Sequence, residues 1–141
     1  MPEDEYVWLP REDILSFEEI STLTDLFTTA GVNKVRLTGG EPLLRKNLPD
    51  LIRELAAKPA IQDLALTTNG ILLADRATTL QSAGLNRITV SLDTLKPDRF
   101  KALTRFDELG AVLSGLNQAV QTWVDPVSYT HLRAHETEAD L

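Results

Sequence analysis

With 141 residues and 43% hydrophobic content, the chain is long enough for one ordinary domain with its own core. Its formal charge of −7 leaves no basic stripe to neutralise a phosphate backbone, so no nucleic-acid partner is expected, and no apolar run approaches the roughly 20 residues of a membrane span. There is no cysteine, which excludes both a disulfide framework and a thiolate metal site in these residues, and the acidic start Met1-Pro2-Glu3-Asp4-Glu5 lacks the basic and apolar regions of a signal peptide, so a cytoplasmic setting is expected.

Residues 1–15 read as irregular. Ser16-Phe17-Glu18-Glu19 is a capping box, with Ser16 as N-cap, Glu19 reaching back, and Leu15 and Ile20 fitting a hydrophobic staple. Phe17, Ile20, Leu23, Phe27 and Ala30 recur at helical spacing until Gly31 supplies the stop. An extended stretch through Thr38 follows, with Val35 and Leu37 on one side and Arg36 and Thr38 on the other. It runs into Gly39-Gly40-Glu41-Pro42, where glycines allow a sharp turn and close approach of a ligand to the backbone. Glu41 then sets a carboxylate at the strand's end, a position suited to a ligand ammonium. Leu48, Leu51, Ile52, Leu55 and Ala56 mark a second helix, ended by Lys58-Pro59. Asp63 to Thr68 is a second strand, with Asn69-Gly70 as its turn. A third helix is predicted from about Leu73 to Ala83, with Gly84 and Leu85 fitting a Schellman ending. Arg87 to Leu92 is a third strand. Pro97 opens a short helix, and Leu109, Val112, Leu113, Leu116, Val120 and Trp123 line a longer one.

Helix and strand alternate, which predicts an α/β fold with a parallel sheet and right-handed crossovers. A sheet covered on both faces is apolar on both. Here Leu64, Leu66, Ile88, Val90 and Leu92 share one face, while Arg36, Thr38, Thr67, Asn69, Thr89, Ser91 and Asp93 collect on the other. The expectation is a barrel-like wall of about three strands whose polar face looks into a ligand cavity, near the strands' C-terminal ends.

Three stretches in this order and spacing, Val35-Arg36-Leu37-Thr38-Gly39-Gly40-Glu41-Pro42, Thr67-Thr68-Asn69-Gly70 and Ser91-Leu92-Asp93-Thr94-Leu95, resemble the radical S-adenosylmethionine superfamily. More narrowly they are similar to its GTP-cyclising branch, which opens molybdenum-cofactor biosynthesis by converting GTP to 3′,8-cyclo-7,8-dihydro-GTP. The resemblance implies an incomplete parallel (βα) barrel over residues 1–127 and a lyase-type radical enzyme with S-adenosylmethionine and [4Fe–4S] clusters as cofactors. It assigns Gly40 and Glu41 to the methionyl amino group of S-adenosylmethionine, Gly39 to shaping the turn, and Ser91 to a further contact with that cofactor. It assigns Arg36 and Thr67 to GTP. A homodimer is compatible with the complete enzyme of this branch.

Two departures stand beside the resemblance. Members of the superfamily carry a Cys-x-x-x-Cys-x-x-Cys loop for the cluster; this chain has no cysteine, and Met1-Pro2-Glu3 looks like the residues just after that loop. The expectation is an internal fragment, inactive alone. Residues 128–141 break the pattern and read as a non-family, artefactual tail. His131 and His135 stand at i and i+4, but Leu132 follows the first His where a zinc-protease motif has Glu, so no metal site is assigned. The alternatives are a radical enzyme acting on a peptide, and a cluster-free α/β ligand-binding module. Lys34, Arg45, Lys46 and Arg53 read as surface charges rather than triphosphate ligands. Asp93 either orders Ser91 or a ribose hydroxyl, or caps the next turn; Trp8 and Trp123 read as packing residues.

Overall fold

The computed structural model of the chain describes residues 14–123 and 131–133. The irregular reading of residues 1–13, the packing role of Trp8 and the placement of His135 lie outside the described residues. Among the described residues five helices and four strands follow in the order α1 (Phe17–Thr29), β1 (Lys34–Leu37), α2 (Leu48–Ala56), β2 (Asp63–Thr68), α3 (Ala77–Ser82), β3 (Arg87–Ser91), α4 (Pro97–Thr104), α5 (Leu109–Thr122) and β4 (His131–Arg133), with one 3-10 turn at Pro42–Leu44. The sheet order is β1-β2-β3-β4 and every pairing is parallel. The sequence predicts about three strands. The fourth pairs Thr89 with His131 and Ser91 with Arg133, in a stretch whose side-chain pattern breaks off. A free sheet edge takes a partner through backbone groups, for which side-chain alternation is not required.

Chain punctuation works locally as expected. Ser16 Oγ accepts from Glu19 N at 3.1 Å while Glu19 Oε2 accepts from Ser16 N at 2.8 Å, closing the capping box. At the other end of α1, Gly31 has φ 93° and Val32 N donates to Phe27 O, the six-to-one bond of a Schellman ending. Gly84 and Leu85 repeat it after α3, with Leu85 N donating to Leu80 O. Pro97 stands in the first turn of α4. The third helix is shorter than predicted. Asn69 Oδ1 accepts from Ile71 N and Leu73 N donates to Gly70 O, so residues 70–76 are spent on turns before α3 opens.

The core lies between the apolar sheet face and the helices. Leu64, Leu66, Ile88 and Val90 from the strands and Leu92 just past β3 meet Leu51, Ile52 and Leu55 of α2, Leu80 of α3 and Val112 of α5, all buried. Two helices are rolled relative to their predicted stripes. On α1, Ser21 and Thr24 are buried while Leu23 and Phe27 face outward, Phe27 at 58% exposure. Thr24 satisfies its hydroxyl on Ile20 O at 2.8 Å, so its burial leaves no orphan donor. On α5, Gly115 and Ala119 are buried with Leu109 and Val112, whereas Leu113 and Val120 are exposed. Small residues here admit the backbone of a neighbouring turn, which apolarity alone does not predict. Trp123 is buried and donates its Nε1–H to Leu85 O at 3.0 Å, as a packing residue does.

Candidate functional site

Period-2 alternation puts Arg36 on the sheet face away from the helices, at an exposed position of β1. Its Nη1 donates to Thr67 Oγ1 on β2 at 2.9 Å and to Thr89 Oγ1 on β3 at 3.0 Å. The side chain thus crosses β2 to reach β3. Its register partner Ala65 is small enough to let it pass. The sequence named Arg36 and Thr67 as candidates, and the structure joins them directly. Thr89 was visible only as one polar residue among several on that face.

Two residues beyond β1 the backbone turns. Gly39 has φ 151°, a region L side chains rarely enter, and a Cβ at Gly39 or Gly40 would meet nothing within 4 Å. Both glycines are exposed, so their peptide groups are open to a ligand. Glu41 follows in extended geometry and turns its carboxylate back into the protein. Oε1 accepts from Leu43 N at 3.0 Å and from Thr68 Oγ1 at 2.7 Å, and Oε2 accepts from Asn69 N at 2.8 Å. Thr68 is itself buried, and its Oγ1 accepts from Gly70 N at 3.1 Å. Glu41 therefore ties the end of β1 to the end of β2. A carboxylate has about four acceptor sites, so with three filled it keeps room for one further donor.

The glycine pair and Glu41 line a cavity of about 880 Å³, closed on its other side by Ser16 and Phe17 at the start of α1 and by Arg45. Arg45 is fixed there: its guanidinium lies 4.5 Å from the Phe17 ring centre and donates to Leu15 O. Lys46 also lines this cavity, while Lys34 stands at the opposite end of β1 and Arg53 pairs with Asp50 on α2 at 2.8 Å. Arg36, Thr67 and Ser91 are not part of the cavity lining. Ser91 is exposed at the end of β3, on the open sheet face. Asp93 is exposed as well. The following turn is capped instead by Thr94, fully buried, whose Oγ1 accepts from Lys96 N at 3.2 Å. Among the described residues no cluster of three or more His, Asp or Glu is arranged to hold a metal ion, and no helix is long and apolar enough to cross a membrane.

Sequence comparison decides the family. Residues 4–140 match the family model of the Radical SAM superfamily. The chain belongs to that superfamily. Its relatives include GTP 3′,8-cyclase 1 of Mycobacterium tuberculosis (strain ATCC 25618 / H37Rv), 54% identical over 120 residues that make up 82% of this chain and 33% of that protein. GTP 3′,8-cyclase 3 of Mycobacterium bovis (strain ATCC BAA-935 / AF2122/97) is 55% identical over 120 residues, 82% of this chain and 32% of that protein. GTP 3′,8-cyclase of Listeria monocytogenes serovar 1/2a (strain ATCC BAA-679 / EGD-e) is 45% identical over 127 residues, 90% of this chain and 38% of that protein. The chain spans about a third of the length of the curated relatives it matches. In this chain the Gly39-Gly40-Glu41 turn and the Thr67–Gly70 turn are joined through the Glu41 carboxylate into one connected unit. Thr68 and Asn69 belong to it although neither stood out as a site residue, because their bonds to Glu41 span 27 and 28 residues.

Proposed function

We propose that this radical SAM chain forms the cofactor- and substrate-binding wall of a GTP 3′,8-cyclase of molybdenum-cofactor biosynthesis, a lyase-type enzyme. In this reading the sheet is part of a parallel (βα) barrel that binds S-adenosylmethionine at Gly39, Gly40, Glu41 and Ser91 and GTP at Arg36 and Thr67. The observation that carries it is the pairing of an uncovered glycine turn with an Arg36–Thr67 contact three residues before it in the chain. The exposed peptide groups of Gly39 and Gly40 suit the polar methionyl end of S-adenosylmethionine, and the fourth acceptor site of Glu41 suits its ammonium. S-adenosylmethionine supplies hydrogen-abstraction chemistry in such enzymes. The residues here bind and orient. Arg36 gives fixed donors to a phosphate or base, as its planar fork allows. A [4Fe–4S] cluster does not fit the donor set of this chain, because it needs thiolates and the 141 residues hold none. No step is assigned to it. The cytoplasm is the natural compartment for this chemistry, and a homodimer of the whole enzyme accords with it.

Paired titrations with GTP and with S-adenosylmethionine test the reading. Arg36→Ala removes a charge-assisted contact worth about 1.5–3 kcal/mol and weakens GTP binding while leaving S-adenosylmethionine binding intact. Gly40→Val places a branched side chain over the open peptide and does the reverse. Unchanged GTP affinity in Arg36→Ala overturns the substrate assignment and favours a radical enzyme with another substrate.

A further inference from the structure

Along β2, Leu64 and Leu66 face the core, and alternation puts Thr68 on the same side, with only 2% of its surface exposed. A valine of the same shape would fill this position without bringing a polar atom into the core. The hydroxyl is nonetheless used twice. Gly70 N–H can only donate, so Thr68 Oγ1 accepts there at 3.1 Å and gives its own proton to Glu41 Oε1 at 2.7 Å. Oε1 also accepts from Leu43 N, while Oε2 accepts from Asn69 N alone among the described residues. With Oε1 doubly occupied, the remaining acceptor position of the carboxylate lies on Oε2, and Glu41 lines the cavity beside the glycine pair. We infer that Thr68 is a positioning residue for S-adenosylmethionine: by holding Oε1 against the end of β2, it keeps Oε2 turned to receive the ammonium.

This rests on the reading that places the ammonium at Glu41, and it adds to that site a residue the ligand does not touch. A glutamate free to rotate must be ordered when the ligand arrives, which costs affinity, whereas donors already in place order it beforehand. Two of the three donors to Glu41 are backbone groups, so Thr68 is the one that a side-chain substitution removes directly. The neighbouring Thr67 points to the opposite face and accepts from Arg36. Successive threonines of β2 therefore serve different ligands, and loss of the Thr68 hydroxyl is felt by S-adenosylmethionine rather than by GTP.

The test uses the 141-residue chain and its variants Thr68→Val, Thr68→Ser and Thr68→Ala. Each is titrated with S-adenosylmethionine, with the analogue that lacks the α-amino group, and with GTP. Thr68→Val keeps the shape and loses the hydroxyl. It weakens S-adenosylmethionine by roughly three- to tenfold, as expected for one hydrogen bond, and leaves the deamino analogue and GTP where they were. Thr68→Ser loses a buried methyl and keeps the hydroxyl, so it lowers the unfolding midpoint yet preserves the preference for the amino-bearing ligand. A merely structural role would make both affinities follow stability. Should the valine variant not fold, Thr68→Ala set against Thr68→Ser isolates the same hydroxyl. If removing the hydroxyl weakens both ligands equally or neither, or if Thr68→Ser loses the preference, the positioning role is overturned. A parent chain that binds S-adenosylmethionine no better than the deamino analogue removes the ammonium reading of Glu41, and this inference with it.

Discussion

Glu41 shows how much structural work one motif carboxylate does. Its two oxygens accept from Leu43 N, Thr68 Oγ1 and Asn69 N, so one carboxylate holds the 3-10 turn and the end of β2 in register with the glycine pair. Bonds to a charged acceptor are worth about 1.5–3 kcal/mol each when buried, but the Asn69 N–H is exposed and water replaces that partner. Glu41→Ala is therefore expected to cost about 2–4 kcal/mol rather than the full sum, read as a lower urea midpoint at unchanged slope. Thr68→Val is expected to cost about 1–3 kcal/mol, because it strips one donor from Glu41 and leaves the Gly70 N–H without its acceptor. A loss under about 0.5 kcal/mol in both variants would show that the bracket is incidental. The sequence made the Gly-Gly-Glu segment legible through strand length, glycine and an acid at one point. The partners of the acid were not legible, because local spacing carries no information about contacts made almost thirty residues away.

At the scale of elements, helix ends were easier to read than helix faces. Ser16 with Glu19, Gly31, Gly84 and Pro97 act through their own backbone and nearest turns, so their signals are complete within a few residues. The rolled faces of α1 and α5 depend on what each helix meets, and that is set by distant chain. Gly115 is the clearest case. A Cβ there would lie 2.6 Å from Gly70 O and 3.0 Å from Leu73 Cβ. The obstacle is backbone, which cannot swing away as a flexible side chain does. Helix propensity favours Gly115→Ala by about 1 kcal/mol in an exposed helix. Here the overlap wins, and the substitution is expected to destabilise by about 1–3 kcal/mol, with α5 displaced from the Gly70 turn. Because that turn carries Thr68 and Asn69, amide shifts are expected at Glu41 and Leu43 as well as on α5. Thermal unfolding of Gly115→Ala at or above the parent temperature would show that α5 has room to spare at this point.

For the molecule as a whole, the unburied apolar surface competes with the net charge. Leu26, Phe27, Phe106 and Val120 each expose about three-fifths of their surface, with Leu23 beside the first pair and Leu113 on α5. In a (βα) barrel the helices pack against one another around the ring, so outer flanks of this kind meet neighbours. On this chain they stay largely exposed, and among the described residues no strand pairs with the outer edge of β1. Against association stands the formal charge of −7. The two effects respond differently to salt. Repulsion between exposed charges is screened beyond about 8–10 Å at 0.1–0.15 M ionic strength and beyond about 3 Å at 1 M, whereas burial of apolar surface is not weakened by screening. The expected behaviour is concentration-dependent association that grows as sodium chloride is raised from low to near-molar, seen in sedimentation velocity as a rising weight-average coefficient. Leu26→Lys with Phe27→Lys breaks the exposed apolar pair on α1 and is expected to shift the chain back towards monomer. The charge change works the other way, reducing net repulsion by two, so a shift towards monomer isolates the apolar contribution. A parent chain that sediments as a single monomer at all salt concentrations would mean that these side chains are too scattered to make an interface.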